Sequence, residues 1–356
     1  YSVCVDTILV TLADRKPVEY PVAADGTVTI PADKLSAGDN AITVTVDDGV
    51  HNLATKDITV VVSAPVVLGT NITVTVTNIT YGESAVIKFT LTDENGNPLT
   101  GKLNVTVKDI VKEVPVDDGH GTLTLPSLTA DTYPVVANFE GNDTYGPSTG
   151  TGYFNVAKKA TKIIYENMTT NAIDFYTDGR VGEWFVWRLV DEDGNPMKNT
   201  PMQIGFNGIV YTYEENGICT DDDGYARLQI NLMTSFTYTF AISFLGDENY
   251  NASFAVAKID IQKQTPTITV PNKSYKASAS TKTLTATFKN NRGTLIANKT
   301  IKFTVNGKTY SAKTDEKGVA KVNVSISKAG TYDVTMTYGG SGTYEKVTKK
   351  ATLKIT

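Results

Sequence analysis

Two cysteines in 356 residues, Cys4 and Cys219, fall in different segments and cannot staple either one internally, so the fold must be held by packing. No run of eighteen apolar residues occurs, which excludes a helical membrane span, and no membrane insertion is expected. Histidine is nearly absent: His51 and His120 both sit in Gly/Asp-rich turns with no Cys or second His at ligand spacing, which leaves no zinc site and no imidazole base. No glycine-rich phosphate loop opens a helix and no nucleophile elbow appears, so enzyme chemistry has no carrier. Positive charge is neither abundant nor clustered. With a net charge of −5 and no basic stripe, a nucleic-acid partner is excluded. No charged-apolar leader or anchor-like tail is visible, so any export or attachment signal is expected outside these residues.

What the chain has is repetition. A turn after an alternating run recurs as Phe89-Thr-Leu-Thr-Asp-Glu-Asn-Gly-Asn-Pro98, Trp187-Arg-Leu-Val-Asp-Glu-Asp-Gly-Asn-Pro196 and Ala286-Thr-Phe-Lys-Asn-Asn-Arg-Gly293. A Gly-led strand follows, at Gly121, Gly224 and Gly318, with a clipped N-terminal copy at Gly26-Thr-Val-Thr-Ile30. A Tyr-led strand then runs from Tyr133, Tyr238 and Tyr332 into the Gly-rich turns Gly141 to Tyr145, Gly246 to Tyr250 and Gly340 to Tyr344. The period is about 95 residues, enough for each unit to bury a core of its own. Nearly every segment alternates Val, Ile, Leu, Phe or Tyr with Thr, Lys, Asn or Ser over four to eight residues. Asn-Gly and Asp-Gly dipeptides stand where hairpins need positive φ, and no helix is expected. The result is all-β: tandem immunoglobulin-like sandwiches, divided as 1–63, 64–157, 158–263 and 264–356. Short links near Ser63-Ala-Pro65, Ala157-Lys-Lys-Ala160 and Lys263-Gln-Thr-Pro266 imply a semi-extended rod of roughly 30–40 Å per unit.

Several positions carry specific expectations. Tyr133, Tyr238 and Tyr332 resemble tyrosine corners, whose ring fills the sandwich end while the hydroxyl caps a loop carbonyl. Nine Asn-x-Ser/Thr sequons, at Asn71, Asn78, Asn104, Asn142, Asn167, Asn251, Asn272, Asn298 and Asn323, exceed the about five that composition alone would give. They are glycosylation candidates, above all Asn142 and Asn251 in turns. The acidic turns Asp93–Asn97, Asp191–Asn195 and Asp221–Gly224 space oxygen ligands around a glycine as calcium loops do, so calcium is a possible cofactor. They lack the distant bidentate glutamate, however, and the matching turn Asn290-Asn-Arg-Gly293 replaces an acid with arginine. The stretch 158–263 holds half of the aromatics, including both tryptophans. Alternation turns Phe185, Trp187 and Leu189 inward and puts Tyr211 and Tyr213 on the face of Phe206, whereas Trp184 has the opposite parity and is the ligand candidate. Lys88, the one lysine placed for an intramolecular isopeptide link, also reads outward.

The Asp-Glu-Asn-Gly-Asn-Pro-Leu turn, Gly141-Asn-Asp-Thr-Tyr145, Gly246-Asp-Glu-Asn-Tyr250 and Asp25-Gly-Thr-Val-Thr-Ile-Pro31 resemble the adhesin-like surface proteins of methanogenic archaea, built from tandem bacterial-type Ig-like repeats. The resemblance covers the whole chain. It implies a large, exported, glycosylated protein at the cell surface, with other cells, surface glycans or proteins, or copies of itself as partners, and it carries over no site residues. Three functions follow: an adhesin stalk or spacer, a filament subunit assembled by strand complementation, and a carbohydrate-binding module centred on 158–263. In the first unit, Ile8-Leu-Val-Thr-Leu12 corresponds to Leu103–Val107 and Ile301–Val305 yet begins within a few residues of Tyr1. Two strands of that sandwich are therefore expected to be missing, with its core face open.

Overall fold

Alternating β-branched and polar residues become strand almost wherever the sequence carries them. The structure, a computed structural model, describes residues 5–12, 15–47, 53–64, 66–175 and 181–356; Cys4, His51 and Pro65 lie outside the described residues. The chain packs as two compact units. One comprises residues 1–78, 84–126 and 132–155, and the other comprises residues 79–83, 127–131 and 156–356.

Within the first unit, Val18–Pro21, Thr7–Leu12, Gly38–Val46 and Ala54–Val62 form one antiparallel four-stranded sheet in that order. Only Val10 and Ile42 of its apolar residues are fully buried. Val5, Ile8, Val22, Val28, Val44 and Val46 line an open trough of roughly 550 Å³, and among the described residues no strand covers it. Gly26-Thr-Val-Thr-Ile30 is not a strand. Its counterparts pair with the strand that carries Phe89, Trp187 or Ala286, and a strand without that partner has no ladder to join.

Three sandwiches follow, each pairing a three-stranded with a five-stranded sheet. In the first of these, Thr70–Thr75, Ala85–Asp93 and His120–Leu125 make the smaller sheet. Ile79–Thr80, Ser148–Ala157, Thr132–Phe139, Gly101–Val107 and Ile110–Val116 make the larger. The next has Thr161–Tyr165, Trp184–Asp191 and Tyr225–Gln229 opposite Met168–Asn171, Ser253–Gln262, Phe236–Phe244, Gln203–Phe206 and Ile209–Tyr211. The last repeats the plan with Thr267–Thr269, Thr283–Lys289 and Val319–Asn323 opposite Lys273–Tyr275, Val347–Ile355, Gly330–Tyr338, Thr300–Val305 and Lys308–Lys313. Every core is built by strand parity. Ile87, Phe89 and Leu91 are buried between exposed Val86 and Lys88, so Lys88 faces away from the core. One cluster joins Phe185, Trp187 and Leu189 to Phe240, Ile242 and Ile259 of the opposite sheet, and another joins Phe288 and Ala286 to Phe303, Met336 and Leu353. One core position takes a different size in each repeat against a small partner: Phe89 pairs with Gly121, Trp187 with Ala226, and Ala286 with Ala320.

Two local expectations need correction. The repeated glycine is Gly119 rather than Gly121, since Gly119, Gly224 and Gly318 each accept, through their carbonyls, the amides of Leu91, Leu189 and Phe288. All three have positive φ. A Cβ on Gly224 would lie 2.7 Å from the Leu189 carbonyl oxygen, and one on Gly318 would lie 2.8 Å from that of Phe288, which leaves glycine as the only residue that fits. Tyr213 is the second. It is 47% exposed instead of facing the core, because the strand stops at Tyr211 and a helical turn, Tyr213–Asn216, replaces it. Thr212 caps that turn by accepting the Glu215 amide, and left-handed Gly217 closes it, a cap pair that alternation alone does not reveal. A 3-10 turn at Ala32–Lys34 and helical Phe175 are further departures.

Candidate functional site

The polar motifs that looked like chemistry are mostly turn caps. Asp93 Oδ1 accepts the amides of Asn95 and Asn97 at 2.9 and 2.8 Å, and Oδ2 accepts Asn97 Nδ2 at 2.8 Å. Asp191 repeats this with Asp193 and Asn195. Asp221 and Asp315 each bind two amides in the same way. Asn290 does the same work uncharged, accepting from Arg292 and Thr294. Oxygens aimed at backbone amides within their own turn are not arranged as a cation shell, and among the described residues no group of three or more His, Cys, Asp or Glu gathers to hold a metal. His120 is exposed on an outer sheet face, and Cys219 is a half-buried free thiol.

These caps set an acid limit. The Asn97 side chain and then its amide hold the Asp93 carboxyl below the usual carboxylate range, and the Val319 amide does the same for Asp315. Burial works to raise Asp191, but Asn195 and Lys159 outweigh it and leave that carboxyl lowered too. Lys159 reaches Asp193 and, at 3.0 Å, Asp191; Asp193 and then Asp191 hold its ammonium well above the ordinary lysine value. A carboxyl lowered by folding adds stability that is complete above its unfolded value, about 4, and is lost as the pH falls through the folded value. The melting temperature should therefore be flat from pH 8 to pH 5 and fall below pH 4, as read by calorimetry. Asp93→Asn should keep the turn, as Asn290 does, and soften that fall; a steeper fall would contradict the assignment.

Matching tyrosines close the sandwich ends. Tyr238 Oη donates to the Thr234 carbonyl at 3.0 Å and Tyr332 Oη to the Lys328 carbonyl at 2.8 Å, each four residues back. Tyr133, 5% exposed, stacks on Phe154 at 5.3 Å. All three sit at the same register against the final strand, opposite Phe154, Ile259 and Leu353. Tyr332→Phe should cost about 0.5–1.5 kcal/mol; calorimetry showing no loss at Tyr332 and Tyr238 alike would remove the capping role.

All nine sequon asparagines are exposed, but their number has a structural origin. Asn78, Asn167 and Asn272 occupy one repeated position, where the first strand crosses from the smaller to the larger sheet. There each Oδ1 accepts an amide of the final strand, from Asn155, Lys258 and Thr352, at 2.8, 2.8 and 2.9 Å. Asn298 has φ +58° and matches Asn199 at +47°, a conformation that favours asparagine. Removing the three switch positions leaves six, close to chance. Asn142 Oδ1 accepts the amides of Thr144 and Tyr145, the role of Asp247 and Ser341 in the sister turns. Asn104 Nδ2 donates to Glu140, Asn251 Nδ2 donates to the Lys158 carbonyl, and Asn323 Oδ1 accepts the Thr283 hydroxyl. Asn71 lies on an outer strand face.

The sandwich of residues 158–263 differs from its sisters at the surface. Thirteen of the twenty-three exposed large apolar side chains among the described residues belong to it, against one, Leu295, in the sandwich that follows. Trp184 is 53% exposed and faces out, with the Arg227 guanidinium 5.9 Å from its ring. Tyr213, with Lys198, Glu214 and Asp247, lines a shallow trough of roughly 400 Å³. A set of residues with no signal in the sequence joins this sandwich to the next. Lys299 Nζ lies 2.7 Å from buried Asp174 Oδ2 and 4.9 Å from the Tyr344 ring. Gln264, wholly buried, donates to the Ala172 carbonyl, Thr343 to that of Met233, and the Ser235 amide to that of Gly342.

Solved structures that resemble the chain come from several settings. A Ca²⁺-stabilized adhesin that helps an Antarctic bacterium bind ice is 14% identical, with 99% of this chain and 90% of that one covered and a TM-score of 0.33. Invasin, a bacterial integrin-binding protein, is 16% identical over 82% of this chain and 60% of its own, with a TM-score of 0.37. The titin domains Z1Z2, solved in complex with telethonin, are 15% identical over 54% and 96%, with a TM-score of 0.32. Adhesins and titin alike are among these neighbours, so the likeness selects no function. Within the last sandwich, residues 265–350 match the bacterial Ig-like domain (group 1) family.

Proposed function

We propose that the chain is a non-catalytic part of an extracellular, cell-surface adhesin-like protein, in which successive Ig-like units divided near 63, 157 and 263 serve as a stalk or spacer for cell adhesion. The observation that carries this is repetition: the same sandwich recurs three times, its Asp or Asn turns serve as caps in each copy, and its tyrosine hydroxyls do so in the last two. A spacer needs stable, similar units, and weak contacts along it gain strength by multivalency. The turn motifs favour a source among methanogenic archaea, and the outward sequons favour glycosylation, with Asn142 first because it stands exposed in a turn and, unlike Asn251, has no described residue on its amide nitrogen. The test is display on the native cell. Antibody labelling of intact cells and loss of cell attachment on deleting the gene are the expected results; labelling only after lysis would end this reading. Intact-mass spectrometry of native protein should exceed the sequence mass by hexose-scale increments, and a mass equal to the sequence mass would reject modification.

A second reading, a filament subunit, is favoured by the open apolar face of the 7–62 sheet, which a strand from another copy would cover. Sedimentation separates the two. Concentration-dependent association of residues 1–356 that vanishes in 66–356 favours a filament, and a monomer in both favours the stalk.

A further inference from the structure

The outer face of the sheet formed by Thr161–Tyr165, Trp184–Asp191 and Tyr225–Gln229 departs from a pattern its sisters keep. In register, six neighbouring outward positions of the last sandwich are Thr269, Thr283, Thr285, Thr287, Val319 and Lys321. Those of the first of the three sandwiches are Thr73, Val86, Lys88, Thr90, His120 and Thr122. The same six places in this sheet hold Ile164, Trp184, Val186, Arg188, Tyr225 and Arg227. Ile164, Trp184, Val186 and Tyr225 are 43–53% exposed. Core packing does not require them, since sheets of the same topology fold with threonine there. Two guanidinium groups lie over the two rings, Arg188 at 5.2 Å from Tyr225 and Arg227 at 5.9 Å from Trp184, and Arg188 Nε donates to the Asp223 carbonyl at the end of the face. No carboxylate occupies any of the six places in a chain whose net charge is −5.

We infer that this face binds an anionic polysaccharide, a chain of pyranose rings bearing carboxylates or sulfates. This deepens the surface-protein reading and rests on it. On a sheet face the backbone groups point along the sheet, so a peptide adding as a strand would need the edge and finds no main-chain partners here. Recognition must run through side chains. Indole and phenol rings suit the C–H faces of sugar rings, and guanidinium groups stacked on those rings keep in-plane donors free for anions. Trp184 and Tyr225 are four residues apart along the ladder, about 13–14 Å by strand rise, a spacing that places two platforms under one extended oligosaccharide rather than under a single sugar.

Affinity electrophoresis of the full 356-residue chain through gels containing polygalacturonate, chondroitin sulfate, dextran or poly-L-glutamate tests this. Retardation by polygalacturonate or chondroitin sulfate, absent with dextran and weakened by salt, is expected. Trp184→Thr with Tyr225→Val installs the last sandwich's own residues, so folding is retained, and should weaken binding at least tenfold; Arg188→Gln with Arg227→Gln should abolish it. The inference is overturned by no retardation in either anionic gel, by binding that both double variants leave intact, or by equal retardation in poly-L-glutamate, which would make the face a site for acidic peptides. Self-association lost in Trp184→Thr without polysaccharide binding would instead assign it to a second copy of the chain. None of these outcomes alters surface labelling of cells, so the two readings fail separately.

Discussion

Replacing Trp187 with alanine should cost the sandwich of residues 158–263 about 3–5 kcal/mol, a large part of the roughly 5–15 kcal/mol that holds a domain together. Trp187 is 1% exposed and lies 5.6 Å, ring to ring, from Phe185, which in turn meets Phe240. Its partner across the ladder is small Ala226, so the sister residues Phe89 and Ala286 sit in cores shaped differently and no neighbour is poised to refill the space. Trp187→Phe should cost much less. It keeps most of the ring and removes Nε1, a buried donor with no hydrogen-bond partner among the described residues. Calorimetric or denaturant unfolding of the whole chain reads both. A loss within 1 kcal/mol for the alanine variant would mean that the ring does not fill this core.

Lys299→Met should cost about 3 kcal/mol, because it leaves the carboxylate of Asp174, 4% exposed, without the ammonium 2.7 Å away. Lys299 keeps 18% side-chain exposure, which places the effect at the low end for a buried pair. Replacing both partners, Lys299→Met with Asp174→Leu, should recover most of the loss, since no stranded charge remains. Because the pair spans two sandwiches, the single variant should also split one cooperative unfolding transition into two, seen by calorimetry. An unchanged thermogram would show that the pair contributes nothing to their coupling.

Much of the fold was legible because strand parity is a local code. Burial at every second residue from Ala85 to Leu91 follows from the order of side chains on a pleated strand, and the Asn207-Gly208 and Asn306-Gly307 turns have the paired positive φ that two-residue hairpins demand. Parity also placed Trp184 outside and Trp187 inside. It failed where a cap intervenes, as at Thr212, and where two glycines compete for one turn, as Gly119 and Gly121 do. Three of the nine sequons have a structural use that parity does not show: at the strand switch each asparagine carbonyl oxygen accepts an amide of the final strand.

The sequence by itself determined that the described residues are almost all β, that one sandwich plan repeats, and that its cores need no disulfide, because propensity, alternation and turn chemistry act over a few residues and agree with one another. Only tertiary structure decided which polar groups are spent. The Lys299–Asp174 pair and the wholly buried Gln264 carry no mark in one dimension, because their partners come from distant parts of the chain, whereas the Asp93 and Asp191 carboxylates are spent on amides of their own turns. The same holds for the outer face of Trp184, Arg188, Tyr225 and Arg227. Its six places, Ile164 to Arg227, come from three strands far apart in the chain, and their contrast with the threonines of the sister sheets exists only once the ladders are in register.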